Sequence, residues 1–318
     1  MKTKKGFLML VLSLILVASL LFPTMALSAS PDNLKKPDKE KPVPAKNVQI
    51  IKKVTMKPGP PKPPPGKDKP KKQEGAATGI PGAPVIGERY AIVVGISDYP
   101  GISNDLRYAD DDAQDIATAL TDVYGFTNVT LLTDGGATRS AILSAISNIP
   151  EGAGEVVFSF SGHGAQGEAE DGDNEIIDEA IVAHDGFDLV PIWDGELKAA
   201  FSGLSPRIVF IFDICLAGGM TDLEGSGRVI NMAASETGLS YEYGTLQNGQ
   251  FTYYFVDEGI MQGFADSYDH DNDTIVAKKK NPGEPDDVFI EEAFDYAKKK
   301  CRRQKPTISD SFEDDLMP

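Results

Sequence analysis

The stretch Ile208-Val209-Phe210-Ile211-Phe212-Asp213-Ile214-Cys215-Leu216-Ala217-Gly218-Gly219 constrains the fold of this chain more than any other. Its first five residues are apolar, β-branched or aromatic, and predict a strand buried on both faces. The run stops at an acid and a thiol, and two glycines then mark a turn. A second stretch has the same design: Val156-Val157-Phe158-Ser159-Phe160 predicts a strand, and Ser161-Gly162-His163-Gly164 follows it. The connection between the two permits a parallel pair. In an open α/β sheet, sites are built at the carboxyl edge of the strands. That edge would then carry both a histidine and a cysteine, the pair needed for nucleophilic attack on a carbonyl.

The surrounding pattern supports such a sheet. Tyr90–Ile96, Val129–Leu132 and Val229–Ala234 predict further strands. Helices are expected over Asp110–Thr121, Ala141–Ile149, Trp193–Phe201, Phe251–Met261 and Val288–Lys300. In the first of these, Ala113, Ile116, Ala117 and Leu120 fall at helical spacing, and three acids sit at its amino end, where the helix dipole favours them. Alternating strands and helices imply an α/β fold, a mostly parallel sheet with helices on both faces.

Charge divides the chain. Residues 1–88 hold 16 Lys/Arg against 6 Asp/Glu, and the remainder holds 15 against 42. So acidic a globular part argues against nucleic acid as a partner and fits cationic substrates or divalent metals. At the amino end, Lys2, Lys4 and Lys5 precede an apolar run from Phe7 to about Ala26, followed by small residues. Residues 1–29 therefore predict an export signal, or an uncleaved anchor that holds the protein to a membrane. Residues 30–88, rich in Pro and Lys, predict an extended disordered linker, with a cleavable basic pro-segment as the alternative. The folded domain is expected over 89–304, and 305–318 as an acidic tail.

The two motifs, Ser161-Gly162-His163-Gly164 and Asp213-Ile214-Cys215-Leu216-Ala217-Gly218, resemble those of the caspase-like cysteine peptidases, most closely the metacaspases and their bacterial relatives. The similarity extends through Tyr108-Ala109-Asp110-Asp111-Asp112-Ala113, Asp171-Gly172-Asp173-Asn174-Glu175, Asp178-Glu179-Ala180 and Phe251-Thr252-Tyr253-Tyr254. It covers roughly residues 89–300. The chain departs from the pattern at Ile214, where a Ser is usual, and at Leu216-Ala217, in place of His-Ser.

The resemblance implies a three-layer caspase-like sandwich and an endopeptidase with His163 as general base and Cys215 as nucleophile. The backbone N–H groups of Gly164 and Cys215 would stabilise the oxyanion. Asp112, Ser161 and Asp213 would line a pocket for Arg or Lys at the cleaved bond, since paired carboxylates hold a cation and repel an acid. Polypeptides carrying Arg or Lys are the expected partners, and the protein itself a monomer. The resemblance also carries a calcium site onto Asp178, Asp194 and Asp222, with Gly195 where one further carboxylate would stand, which predicts weak binding. No organic cofactor is expected. The rivals are a non-catalytic binding module of the same fold and an acidic calcium-binding surface protein. Asp269-His270-Asp271-Asn272-Asp273 resembles the start of an EF-hand loop, but Thr274 and Lys280 stand where that loop wants Gly and Glu, so a remnant is expected. His184 is expected to pack, and Cys301 to be dispensable.

Overall fold

The computed structural model describes residues 41–56, 77, 81–172, 175–204, 207–266, 268 and 288–318. The expected export signal, the remnant loop at 269–273 and His270 lie outside these residues. Among the described residues, no helix is long and apolar enough to cross a membrane.

In chain order the strands are β1 (Ala45–Ile51), β2 (Val54–Met56), β3 (Arg89–Gly95), β4 (Asn128–Thr133), β5 (Glu155–Ser161), β6 (Gly164–Ala169) and β7 (Asp178–His184). Then come β8 (Leu189–Trp193), β9 (Ile208–Asp213), β10 (Arg228–Met232), β11 (Tyr241–Tyr243), β12 (Asn248–Gly249) and β13 (Thr307–Asp310). The helices are α1 (Ala109–Asp122), α2 (Arg139–Ser147), α3 (Asp194–Ala200), α4 (Gln250–Thr252) and α5 (Ile290–Lys300), and α4 continues as a π-helix over Tyr253–Met261.

The main sheet has six strands in the order β13-β10-β9-β5-β3-β4. All neighbours are parallel except β13, which runs antiparallel along β10. Alternate residues of its strands feed two cores. Ile92, Val94, Phe158, Phe160, Phe210 and Phe212 pack on one face with Ile142 and Ile146 of α2 and Leu197 of α3. Ala91, Val93, Val157, Val209 and Ile211 pack on the other with Ile116 and Leu120 of α1 and Phe294 of α5. The three-layer sandwich expected from the sequence is the fold observed. Every strand and helix expected in it is present, with ends shifted by up to two residues in most cases.

Two smaller sheets flank the carboxyl edge of the main one. One is antiparallel, in the order β1-β6-β7-β8, and the other has the order β12-β11-β2. Both include part of the segment expected to be linker, so that expectation is corrected for residues 45–56. These residues need no core of their own, because their backbone groups complete the edges of sheets built by the domain. The tail expectation is corrected too. β13 forms the last strand of the main sheet, Ile308 and Leu316 are buried, and Ile290 N donates to Leu316 O at 3.0 Å.

Candidate active site

β5 and β9 are adjacent and parallel, with Ser161 opposite Asp213. The chain leaves β5 into Gly162-His163 and leaves β9 into Ile214-Cys215, so the histidine and the thiol reach the same sheet edge. Gly164 is required there: a Cβ at that position would lie 2.1 Å from the Cys215 carbonyl oxygen. The turn after the thiol passes through Leu216 in the left-handed region, at φ 63°.

His163 is 1% exposed. Its Nε2 lies 2.7 Å from Asn104 O, and a carbonyl can only accept, so Nε2 carries the proton and Nδ1 presents its lone pair. The ring stacks on Tyr99 with centroids 4.7 Å apart, and Tyr99 Oη accepts from His163 N and donates to Val182 O. Burial pulls the imidazole down to about 4, with Lys52 and Lys53 pulling the same way against the Asn104 hydrogen bond. Cys215 is 0% exposed, and burial pushes its thiol up to about 11. Its Sγ accepts from Ser240 N at 3.2 Å. Among the described residues the two side chains do not hydrogen-bond each other. Both bond instead to one peptide unit: Cys215 Sγ donates to Lys52 O at 3.4 Å, and Lys53 N donates to His163 Nδ1 at 3.0 Å.

Beside the dyad lies an acidic pocket, and the Lys53 ammonium fills it. Lys53 Nζ is 3.1 Å from Asp112 Oδ2, 3.0 Å from Asp213 Oδ1 and 3.0 Å from Ser161 Oγ. Asp112, Ser161 and Asp213 are thus brought together as expected, around a lysine of the chain itself. Ser161 Oγ also donates to Asp112 Oδ2 at 2.6 Å. Burial alone would lower the ammonium, but Asp112 and Asp213 overcome it and hold Lys53 charged above its usual range. Burial raises Asp112 to about 7, opposed by Lys53 and reinforced by Asp213.

Sequence reasoning missed the groups that hold these acids in place. Asp213 accepts from Ser240 Oγ at 2.5 Å and from Thr252 N and Oγ1, and Asp112 accepts from Gly249 N at 2.7 Å. A Cβ at Gly249 would sit 2.3 Å from Asp213 Oδ2 and 2.7 Å from Asp112 Oδ2, so a bare backbone forms that wall. Thr252 falls in the Phe251–Tyr254 stretch that the family likeness covers, without a role assigned to it there; Ser240 and Gly249 lie 25 and 34 residues beyond Cys215 and belong to neither motif.

The acidic loop builds a second cluster. Carboxylate oxygens of Asp171, Asp178 and Asp194 approach within 4.8 Å of one another, as do those of Glu175, Glu179 and Asp194. Asp194 is buried and its Oδ2 has no hydrogen-bond partner; burial and then Asp171 raise it to about 9. The oxygens of Asp222 are not among those that approach this closely: its carboxylate pairs with Lys198 Nζ at 3.2 Å, while its charge adds to that of Asp171 in raising Asp194. The role expected of a carboxylate at 195 is open to Asp171. A Cβ at Gly195 would lie 2.6 Å from Asp171 Oδ2, which already accepts from Gly195 N. Of the expected grouping, Asp178 and Asp194 are brought together, with Asp171 as the third carboxylate within that distance.

His184 packs as expected. It is buried with Nε2 at 2.8 Å from Asp134 O and Nδ1 accepting from Gly186 N. Cys301 Sγ donates to Gln250 O at 3.7 Å, and burial raises its thiol well above its usual value.

A family model described as the caspase domain matches residues 88–312. Metacaspase-1 of Saccharomyces cerevisiae is 32% identical over 154 residues, covering 43% of this chain and 35% of that protein. Metacaspase-4 of Arabidopsis thaliana is 33% identical over 146 residues, covering 42% and 34%. The chain thus spans about a third of the length of these relatives. A crystal structure of the protein GSU0716 from Geobacter sulfurreducens aligns with a TM-score of 0.49 and 18% identity, over 71% of this chain and 94% of that one.

Proposed function

The chain belongs to the caspase-domain family, and from that premise we propose that it is an exported cysteine endopeptidase that cuts polypeptides after Arg or Lys. The observation that carries the reading is the seat of Lys53, whose ammonium is held by two carboxylates and a hydroxyl beside a cysteine and a histidine. A guanidinium would use the same charge-assisted hydrogen bonds. An aspartate would meet two like charges.

In the reaction, Asn104 O holds the proton on His163 Nε2, which leaves Nδ1 as the base. Nδ1 takes the thiol proton, and Cys215 Sγ attacks the carbonyl carbon. The backbone N–H groups of Gly164 and Cys215 hold the oxyanion. Nδ1–H then protonates the leaving amine, and water hydrolyses the thioester. Tyr99, stacked on the ring, fixes its plane throughout.

Calcium is the ion that suits the second cluster, since its donors are carboxylate oxygens and Asp194 offers a buried oxygen with no hydrogen bond. Asp171, Asp178 and Asp194 would hold it. Neutralising their mutual repulsion would favour the arrangement that brings Asp171, Asp178 and Asp194 together. With Asp171 in the set, affinity should exceed that expected from a cluster lacking one carboxylate. Export rests on residues 1–29, and a monomer is the proposed state.

One experiment tests the reading: hydrolysis of Arg, Lys and Asp peptide amides by protein whose 45–56 segment has been removed by proteolysis, with and without calcium. Arg and Lys peptides should be cut at least a hundredfold faster than Asp, and not at all by Cys215→Ala. Faster cleavage after Asp would exclude this pocket. Asp171→Asn should raise the calcium needed for half-activation about tenfold, and an unchanged requirement would remove Asp171 from the site.

A further inference from the structure

We propose that residues 45–56 are an intramolecular inhibitor, a strap that Lys53 seats in the pocket and that is not cut while seated. The proposal rests on the pocket being a subsite for basic residues.

The strap is held on both sides of the dyad. β1 pairs antiparallel with β6, placing Ile51 opposite Gly164 and Gln49 opposite Gln166. β2 pairs parallel with β11, placing Val54 opposite Tyr241 and Thr55 opposite Glu242, and Val54 N donates to Ser240 O at 3.0 Å. An extended segment added to free sheet edges is a common mode of peptide recognition. Side chains add to it: Thr55 Oγ1 donates to Glu242 Oε1 at 2.5 Å, and Lys52 Nζ to Ser103 O at 2.8 Å. The segment belongs to the basic amino-terminal part of the chain, and it lies on the acidic domain.

Three features make the pose inhibitory. The strap covers the site, since the peptide unit Lys52–Lys53 lies against both Cys215 and His163 and neither is accessible. It also captures the groups that must react. The Nδ1 lone pair is taken by Lys53 N–H, and Cys215 Sγ lies within donor reach of two carbonyls, Lys52 O at 3.4 Å and Ser240 O at 3.8 Å, so while the strap is seated the imidazole is not free to take the thiol proton.

Finally, the wrong bond faces the dyad. Cleavage after the pocket residue needs the carbonyl of Lys53 at the sulfur, and it is the carbonyl of Lys52 that lies there. Cleavage of Lys52–Lys53 would need Nδ1–H to protonate Lys53 N, yet that nitrogen donates its own hydrogen to Nδ1. A tethered segment acts at high effective concentration. Severing the chain between the strap and β3 would make the contact bimolecular and release the site.

Iodoacetamide tests the strap without recourse to substrate specificity. Full-length wild type, Lys53→Glu and Lys53→Ala are alkylated, modification of Cys215 is followed by mass spectrometry, and folding is checked by circular dichroism. Both variants should react at least tenfold faster than wild type, and Lys53→Ala decides if Lys53→Glu does not fold. Equal rates would overturn the proposal. So would cutting of wild type after Lys52 or Lys53 at a rate independent of protein concentration, which would make the strap a substrate. Peptide hydrolysis by the same variants without preference for Arg or Lys would overturn the pocket reading, while the alkylation ratio still decides whether the strap covers the dyad.

Discussion

At the scale of single residues, the pocket is made as much by what is missing as by its acids. Gly249 offers its N–H to Asp112 and leaves the space that the Lys53 ammonium occupies, 2.6 Å from where a Cβ would be. Gly249→Val should therefore abolish the seat for a basic side chain while leaving Cys215 and His163 in place. The expected result is a fall in kcat/KM for Arg and Lys peptides on the order of 10²-fold, the usual cost of misplacing a bound group by about an ångström. Steady-state kinetics on the strap-released protein measures it, and unchanged kinetics would show that Gly249 does not bound the subsite. Asn104 fixes the His163 tautomer through its backbone carbonyl, and its side chain, donating to Pro100 O at 2.7 Å, holds the turn that presents that carbonyl.

Elements decide where those residues stand. β5 and β9 bring two motifs about fifty positions apart into one register, with Ser161 opposite Asp213 and the alternate residues of both strands feeding the two cores. β13 has a similar structural role at the other end of the sheet. It covers the edge of β10, and the segment after it contributes Leu316 to the core and an N–H to Glu291. Truncation after Gln304 should therefore destabilise the domain, exposing a buried strand edge and apolar side chains. Soluble yield and melting temperature report this, with a drop of several degrees expected. A truncated chain that melts with wild type would return residues 305–318 to the status of a tail.

On the scale of the whole molecule, acidity is carried partly inside the fold. Burial raises Glu155 to about 8, against the pull of Arg207 and Arg89. From its ordinary value of 4.5 up to about 8, the native state holds a proton that the unfolded chain has lost. Its contribution is full below that window and declines as pH rises through it, by up to about 1.4 kcal/mol per pH unit. Glu155→Gln keeps the neutral shape and removes the slope. Urea denaturation should thus show the variant gaining on wild type between pH 5 and pH 8.5. A stability difference identical at the two pH values would place the Glu155 proton elsewhere.

Read from residues alone, the β5 and β9 runs, their terminal motifs and the alternation with helices were sufficient for the sandwich and for pairing His163 with Cys215, because strand period, apolar runs and turn glycines are local properties. The family likeness supplied Asp112, Ser161 and Asp213. What depended on tertiary structure was everything set by contact between distant segments. Lys53 reads as one lysine among many in a Pro/Lys-rich stretch, and only the converging acids of α1 and β9 give it a place. Gly195 reads as a lost carboxylate, and only the folded loop puts Asp171 against it. β1, β2 and β13 have little periodicity of their own, because edge strands are specified by the unpaired backbone of the sheet they complete rather than by a face they must bury.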